Sequence, residues 1–124
     1  MSIRILALDD DPDTAAALRD FFEARGDEVR AVGGGPEAAR LADEWQPDVI
    51  FCDVARPALD SAAVTRAVRR DPRLADTVLI ALSSSDSAAE RARAAGFNHH
   101  LTKPAGLHEM LQFIAERPTP AAAR

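Results

Sequence analysis

Asp9, Asp10 and Asp53 are the carboxylates whose placement invites chemistry, joined by a hydroxyl at Ser83 and an ammonium at Lys103. Each lies at the end of an apolar run: Leu-Ala-Leu before Asp9, Val-Ile-Phe-Cys before Asp53, Leu-Ile-Ala-Leu before Ser83, and Leu-Thr before Lys103. If these runs are parallel strands of one sheet, the polar groups fall at its carboxyl end, where open parallel sheets bind ligands. Two like charges 4 Å apart repel by about 1 kcal/mol in water and about 4 kcal/mol at an effective dielectric of 20. Three converging carboxylates therefore need more compensation than Lys103 supplies. A hard divalent cation with oxygen ligands would provide it, and a site of few carboxylates with room for water suits Mg²⁺ better than an enclosed Ca²⁺ cage. The same ion would neutralise charge on a phosphoryl group approaching Asp53.

The elements that must position these groups are legible as an alternation. Ile3 to Leu8 reads as a strand, and Asp11-Pro12-Asp13 as a helix start with a cap, a proline at the first helical position and an acid at the positive end of the dipole. Asp11 is thus explained as a cap with or without a further role. The helix it opens carries Ala15, Leu18 and Phe22 on one face and should stop at Gly26. Glu28 to Val32 is a second strand. Gly33-Gly34-Gly35 leads into a helix opened by Pro36 and Glu37, with Ala38, Leu41, Ala42 and Trp45 as its apolar face, ended by Gln46-Pro47.

Asp48 to Cys52 is a nearly continuous apolar strand of the kind buried on both faces. After Pro57 a helix from about Asp60 places Val64, Ala67 and Val68 inward and ends at Asp71-Pro72. Thr77 to Leu82 is a fourth strand, and Ser87 with Glu90 has the spacing of a capping box for an Ala-rich helix running to Gly96. Phe97 to Thr102 is the fifth strand, followed by a helix marked by Leu107, Met110, Leu111 and Ile114. Five such pairs predict an α/β fold, a parallel sheet with helices on both faces. We expect one domain over residues 1–117 and a flexible tail over 118–124.

Composition narrows the function classes. With 124 residues, 47% hydrophobic and 28% charged, the chain has the make-up of one soluble domain. A formal charge of −5 argues against direct nucleic-acid binding, which draws its affinity from clustered Lys and Arg. The single Cys52 excludes an internal disulfide and fits a reducing compartment. The longest apolar run, Val78 to Leu82, is far too short for a membrane span, so a cytoplasmic location is expected.

With these residues in place, the sequence resembles the receiver domains of response regulators and hybrid histidine kinases from Ile3 to about Arg117. The resemblance rests on Leu-Asp9-Asp10-Asp11-Pro, Pro-Asp-Val-Ile-Phe-Cys-Asp53, the following Pro57 and Asp60, Ile-Ala-Leu-Ser83-Ser84, and Ala-Gly-Phe-Asn-His-His-Leu-Thr-Lys103-Pro104. It implies a flavodoxin-like five-stranded sheet of order 2-1-3-4-5, and Asp53 as acceptor of a phosphoryl group from a phosphohistidine on a histidine kinase or histidine phosphotransfer domain. It further implies Mg²⁺, with Mn²⁺ as a substitute, held by Asp10, Asp53 and the backbone carbonyl of Ala55, with Asp9 acting through a water. Ser83 and Lys103 would contact phosphoryl oxygens, and the Lys103-Pro104 bond would be cis. Ser83 and His100 would form the switch, and a downstream protein would dock on the fourth helix, fifth strand and fifth helix. A receiver of this kind is not an enzyme in the ordinary sense, because it catalyses only its own phosphorylation and dephosphorylation. The chain is expected to be a stand-alone receiver or a module of a larger kinase or regulator.

Several residues depart from the family pattern. Arg56 stands where Met is common, Ser61 replaces a usual Gly and can serve as a helix cap, Ala105 replaces a bulky apolar residue, and His100 replaces the usual switch aromatic. None removes a group that does the chemistry. The main alternative is a pseudo-receiver, the same fold used as a phosphorylation-independent interaction module. A haloacid-type phosphatase would need an acid or base two residues beyond the nucleophile, where Ala55 stands. A nucleotide-binding role for Gly33-Gly34-Gly35 lacks the fingerprint spacing and follows the wrong strand. A metal site at His99-His100 fails because adjacent strand residues point to opposite faces.

Overall fold

The computed structural model describes residues 2–56, 59–83, 89–102 and 106–116. Its elements are β1 (Arg4–Leu8), α1 (Pro12–Ala24), β2 (Glu28–Val32), α2 (Gly35–Trp45), β3 (Val49–Asp53), α3 (Ser61–Arg70), β4 (Val78–Ser83), α4 (Ala89–Ala95), β5 (His99–Thr102) and α5 (Leu107–Ala115). The strands form one parallel sheet of order β2-β1-β3-β4-β5, the predicted flavodoxin-like arrangement. From β1 the chain moves first to one side, to β2, and then across β1 to β3. The order therefore reverses between β1 and β3, and the crevice opens beyond their carboxyl ends.

The strand composition follows from burial on both faces. Every residue of β3 and of β4 is buried. Alternate residues feed two cores: Leu6, Leu8, Ile50, Cys52, Leu79 and Ala81 pack with residues of α2, α3 and α4, while Ile5, Ala7, Val49, Phe51, Ile80 and Leu82 pack with Leu18 and Phe22 of α1 and Met110 and Ile114 of α5. Phe22, Phe51 and most of the strand aliphatics have no solvent contact worth counting, which makes the sheet the rigid platform for whatever its ends carry.

Local chemistry sets the helix ends nearest the crevice. Asp11 caps α1, its side chain accepting from the Asp13 backbone N–H at 3.0 Å and from the Thr14 hydroxyl at 3.0 Å, with Pro12 at the first helical position. Helix α2 starts one residue before Pro36, at Gly35, and closes on Gln46 in the left-handed region at φ 52°. Ser61 does not cap α3. The capping position is Asp60, itself left-handed at φ 54° and without a side-chain capping bond, and the Ser61 carbonyl instead accepts from the Thr65 hydroxyl at 2.9 Å.

Two further features were not anticipated. A short 3-10 turn, Pro72–Leu74, follows α3, capped by Asp71 and anchored by buried Leu74. Strand β5 begins at His99 rather than Phe97. Asn98 uses its side-chain oxygen to accept from the Leu79 N–H at 2.8 Å while its own N–H donates to the Leu79 carbonyl at 2.8 Å, so Phe97 reaches the core from the loop. The expected cap at Ser87, the prolines Pro57 and Pro104, and the tail over 118–124 lie outside the described residues.

Candidate functional site

Register brings the predicted carboxylates together. Leu8 of β1 pairs with Cys52 of β3, so the next residues, Asp9 and Asp53, leave adjacent strands side by side. Asp53 in turn pairs with Leu82, the residue before Ser83. One ligand oxygen from each of Asp9, Asp10 and Asp53 lies within 4.8 Å of the others, and this is the acidic cluster found among the described residues. Asp9 and Asp53 are buried at 6% and 3% exposure, whereas Asp10 sits at the rim. Burial fixes the first two anions in place and gives them a lower local dielectric than surface carboxylates have.

Backbone donors orient two of the three. The Asp11 N–H donates to Asp9 Oδ1 at 2.9 Å, and the Ala55 N–H donates to Asp53 Oδ1 at 3.0 Å. The same turn that aims the Ala55 amide at Asp53 carries the chain to Arg56. The Arg56 Nε lies 3.2 Å from Asp10 Oδ1 and 3.7 Å from Asp53 Oδ2. This residue, which stands where the family commonly has Met, is thus turned toward its acidic neighbours.

The cluster fits a divalent cation. Mg²⁺ holds oxygens at about 2.0–2.1 Å in an octahedron, so its ligand atoms stand about 3 to 4 Å apart, a spacing of the same order as the 4.8 Å within which these oxygens lie. The donors are all oxygen, which suits a hard ion. Cys52, next in sequence, does not contribute: burial, with the neighbouring Asp53 charge as the lesser cause, pushes its thiol far above its ordinary value, so it stays protonated.

Ser83 ends β4 at 2% exposure, opposite Thr102 of β5. His100 pairs with Ala81 two residues back from that edge, and its Nε2 is buried with no hydrogen-bond partner among the described residues. His99 points the other way and stacks on Phe113 of α5, ring centroids 4.0 Å apart and planes 7° apart, so the adjacent histidines do diverge. Lys103 and Pro104, expected at the end of β5, lie outside the described residues. Sequence reasoning missed the part played by Gly35, whose backbone abuts Asp60 in the segment after Asp53; the triple glycine was a visible signal, read only as the lead into a helix.

Comparison with known proteins agrees with this geometry. The response regulator receiver domain family pattern matches residues 5–115. The transcriptional regulatory protein PrrA of Mycobacterium tuberculosis is 36% identical over 112 residues, covering 89% of this chain and 47% of PrrA. The regulator RpaA of Synechocystis is 33% identical over 110 residues, covering 87% of this chain and 46% of RpaA. The chain thus spans about half the length of these curated relatives. Among solved structures, the receiver domain of the Pseudomonas aeruginosa sensor histidine kinase PA1611, with a magnesium ion coordinated in its active-site cleft, superposes with a TM-score of 0.77 at 27% identity, over 92% of this chain and 95% of that one. Vibrio cholerae CheY4, a chemotaxis response regulator, superposes with a TM-score of 0.81 at 26% identity, over 92% and 99% of the two chains. The chain belongs to the response regulator receiver domain family of two-component signalling. No helix among the described residues is long and apolar enough to cross a membrane.

Proposed function

We propose that Asp53 is the phosphoacceptor of a Mg²⁺-dependent transfer from a phosphohistidine on a histidine kinase or histidine phosphotransfer domain. The observation that carries this reading is the buried Asp53 carboxylate with those of Asp9 and Asp10 gathered around it within 4.8 Å. An Asp53 oxygen forms the new P–O bond as the P–N bond breaks and the imidazole leaves. Asp10, Asp53 and the Ala55 carbonyl would hold the ion, with Asp9 bound through water. When bound, the ion offsets negative charge on the transferring group. The Ala55 N–H keeps one Asp53 oxygen oriented at 3.0 Å.

On this reading Ser83 and Lys103 take phosphoryl oxygens, and movement of Ser83 is relayed through His100 to a protein-docking face on α4, β5 and α5. The domain promotes only its own phosphorylation and dephosphorylation, works in the cytoplasm and makes no direct contact with nucleic acid. The magnesium in the cleft of PA1611, a 27% identical relative, supports the metal assignment. One observation favours the second reading, a phosphorylation-independent interaction module: Arg56 already neutralises part of the pocket. Incubation with acetyl phosphate and Mg²⁺ separates the two. An acid-stable, base-labile mass gain that disappears in Asp53→Asn is required by the first, and its absence in the wild-type chain leaves the second.

A further inference from the structure

Arg56 makes contacts that the phosphoacceptor reading does not use. Its Nε reaches Asp10 Oδ1 at 3.2 Å and Asp53 Oδ2 at 3.7 Å, and a terminal nitrogen reaches Asp10 Oδ2 at 3.4 Å. Two of the three carboxylates in the cluster are therefore bridged by a cation that the chain itself carries, only three residues beyond Asp53. We propose that Arg56 is a tethered counter-ion that competes with the divalent cation for Asp10 and Asp53, and so sets the metal concentration at which Asp53 becomes reactive. The inference rests on the metal-dependent reading of the same pocket.

The geometry sets the two cations in competition. An ion bound about 2.0–2.1 Å from an Asp10 oxygen would stand within about 5 Å of the Arg56 Nε in its present position. Both are positive and both draw on the Asp10 and Asp53 carboxylates, so each weakens the hold of the other.

Exposure decides which partner yields. The Asp53 side chain is 4% exposed and held by the Ala55 amide, whereas Arg56 is 57% exposed and Asp10 40%. The anion is fixed and the cation lies at the mouth, with water ready to receive it. An ion pair this exposed is weak, so its removal should change metal affinity by about two- to fivefold and should not abolish binding. Position matters as well as charge: a lysine here keeps the positive charge and a comparable reach, while a glutamine keeps the polar bulk and loses the charge.

The test is calorimetric titration of MgCl₂ alone into the full chain and its Arg56→Gln, Arg56→Lys and Asp10→Asn variants, paired with thermal melts in EDTA and in saturating MgCl₂. Arg56→Gln should bind Mg²⁺ about two- to fivefold more tightly, melt lower than wild type in EDTA, and gain more from the metal. Arg56→Lys should stay near wild type, and Asp10→Asn should lose the binding. Equal or weaker affinity in Arg56→Gln overturns the proposal; if Asp53 is still phosphorylated in that case, the phosphoacceptor reading survives alone. Absence of Mg²⁺ binding by every variant and by wild type would remove both together.

Discussion

Gly35 lies against Asp60 so closely that a Cβ on Gly35 would overlap the Asp60 carbonyl oxygen and sit 2.7 Å from its carbonyl carbon. The first turn of α2 is thereby seated on the segment that joins Asp53 to α3. Asp60 is one of two non-glycine residues with positive φ among those described, so the chain accepts local strain where it meets this glycine. Because the clashing atoms are backbone, they cannot swing aside. Gly35→Ala should destabilise the domain by about 1–3 kcal/mol or more, read as a lower urea midpoint with an unchanged slope. Gly34→Ala, where nothing lies within 4 Å, should cost far less.

On the proposed metal-dependent reading, the acidic cluster should make stability respond to Mg²⁺. A ligand that binds only the folded state at tenfold its Kd adds about 1.4 kcal/mol, which for a domain of this size raises Tm by about 4–8 °C. Millimolar MgCl₂ should produce such a rise at neutral pH, and EDTA should remove it. In Asp10→Asn the rise should vanish. Its Tm in EDTA should move little, because relief of repulsion among the carboxylates is offset by loss of the exposed Arg56 pair, each worth about 1 kcal/mol or less. A metal response that persists in Asp10→Asn would show that the ion binds elsewhere.

His99 gives the protein a pH dependence of definite sign. Burial against the α5 side lowers its pKa below the usual 6.5, opposed in part by Glu116. Between the folded and unfolded values the unfolded chain binds more protons, so stability rises with pH through that window. The contribution is fully present above about 6.5 and is lost as pH falls toward the folded value. In His99→Phe, which keeps a ring against Phe113, Tm should gain on wild type as pH drops from 7.5 to 5.5. A constant gap between the two would count against the assignment.

Cys52 should be silent in the folded state. It is completely buried, and desolvation together with the adjacent Asp53 charge keeps its thiol protonated. A thiol reagent should therefore modify it only as fast as the domain opens, with a rate that climbs with urea alongside global unfolding. Fast labelling in native buffer would mean that the core around β3 opens locally.

Much of this architecture is legible in the residues because a parallel sheet buried on both faces must be written as continuous apolar runs, and because all its strands end on one side. Those two facts alone put Asp9, Asp53 and Ser83 on a common edge, and they come from short-range pattern. The caps work similarly: Asp11-Pro12-Asp13 and Gly26 mark the ends of α1 through interactions between near neighbours. Boundaries are less legible. Asp53 belongs to β3 only because it pairs with Leu82, and Phe97 leaves β5 because Asn98 bonds across to Leu79.

What depends on residues distant in the chain had to await the packed fold. The Gly35 contact joins positions 25 apart, and the Arg56 bridge to Asp10 joins positions 46 apart. Composition at either end is the same whether or not they meet. Periodicity and capping are properties of a few adjacent residues, so they dictated which elements form and in what order. Whether a glycine must be bare, or a guanidinium falls on a carboxylate rather than into water, is decided by how helices and loops settle against the sheet.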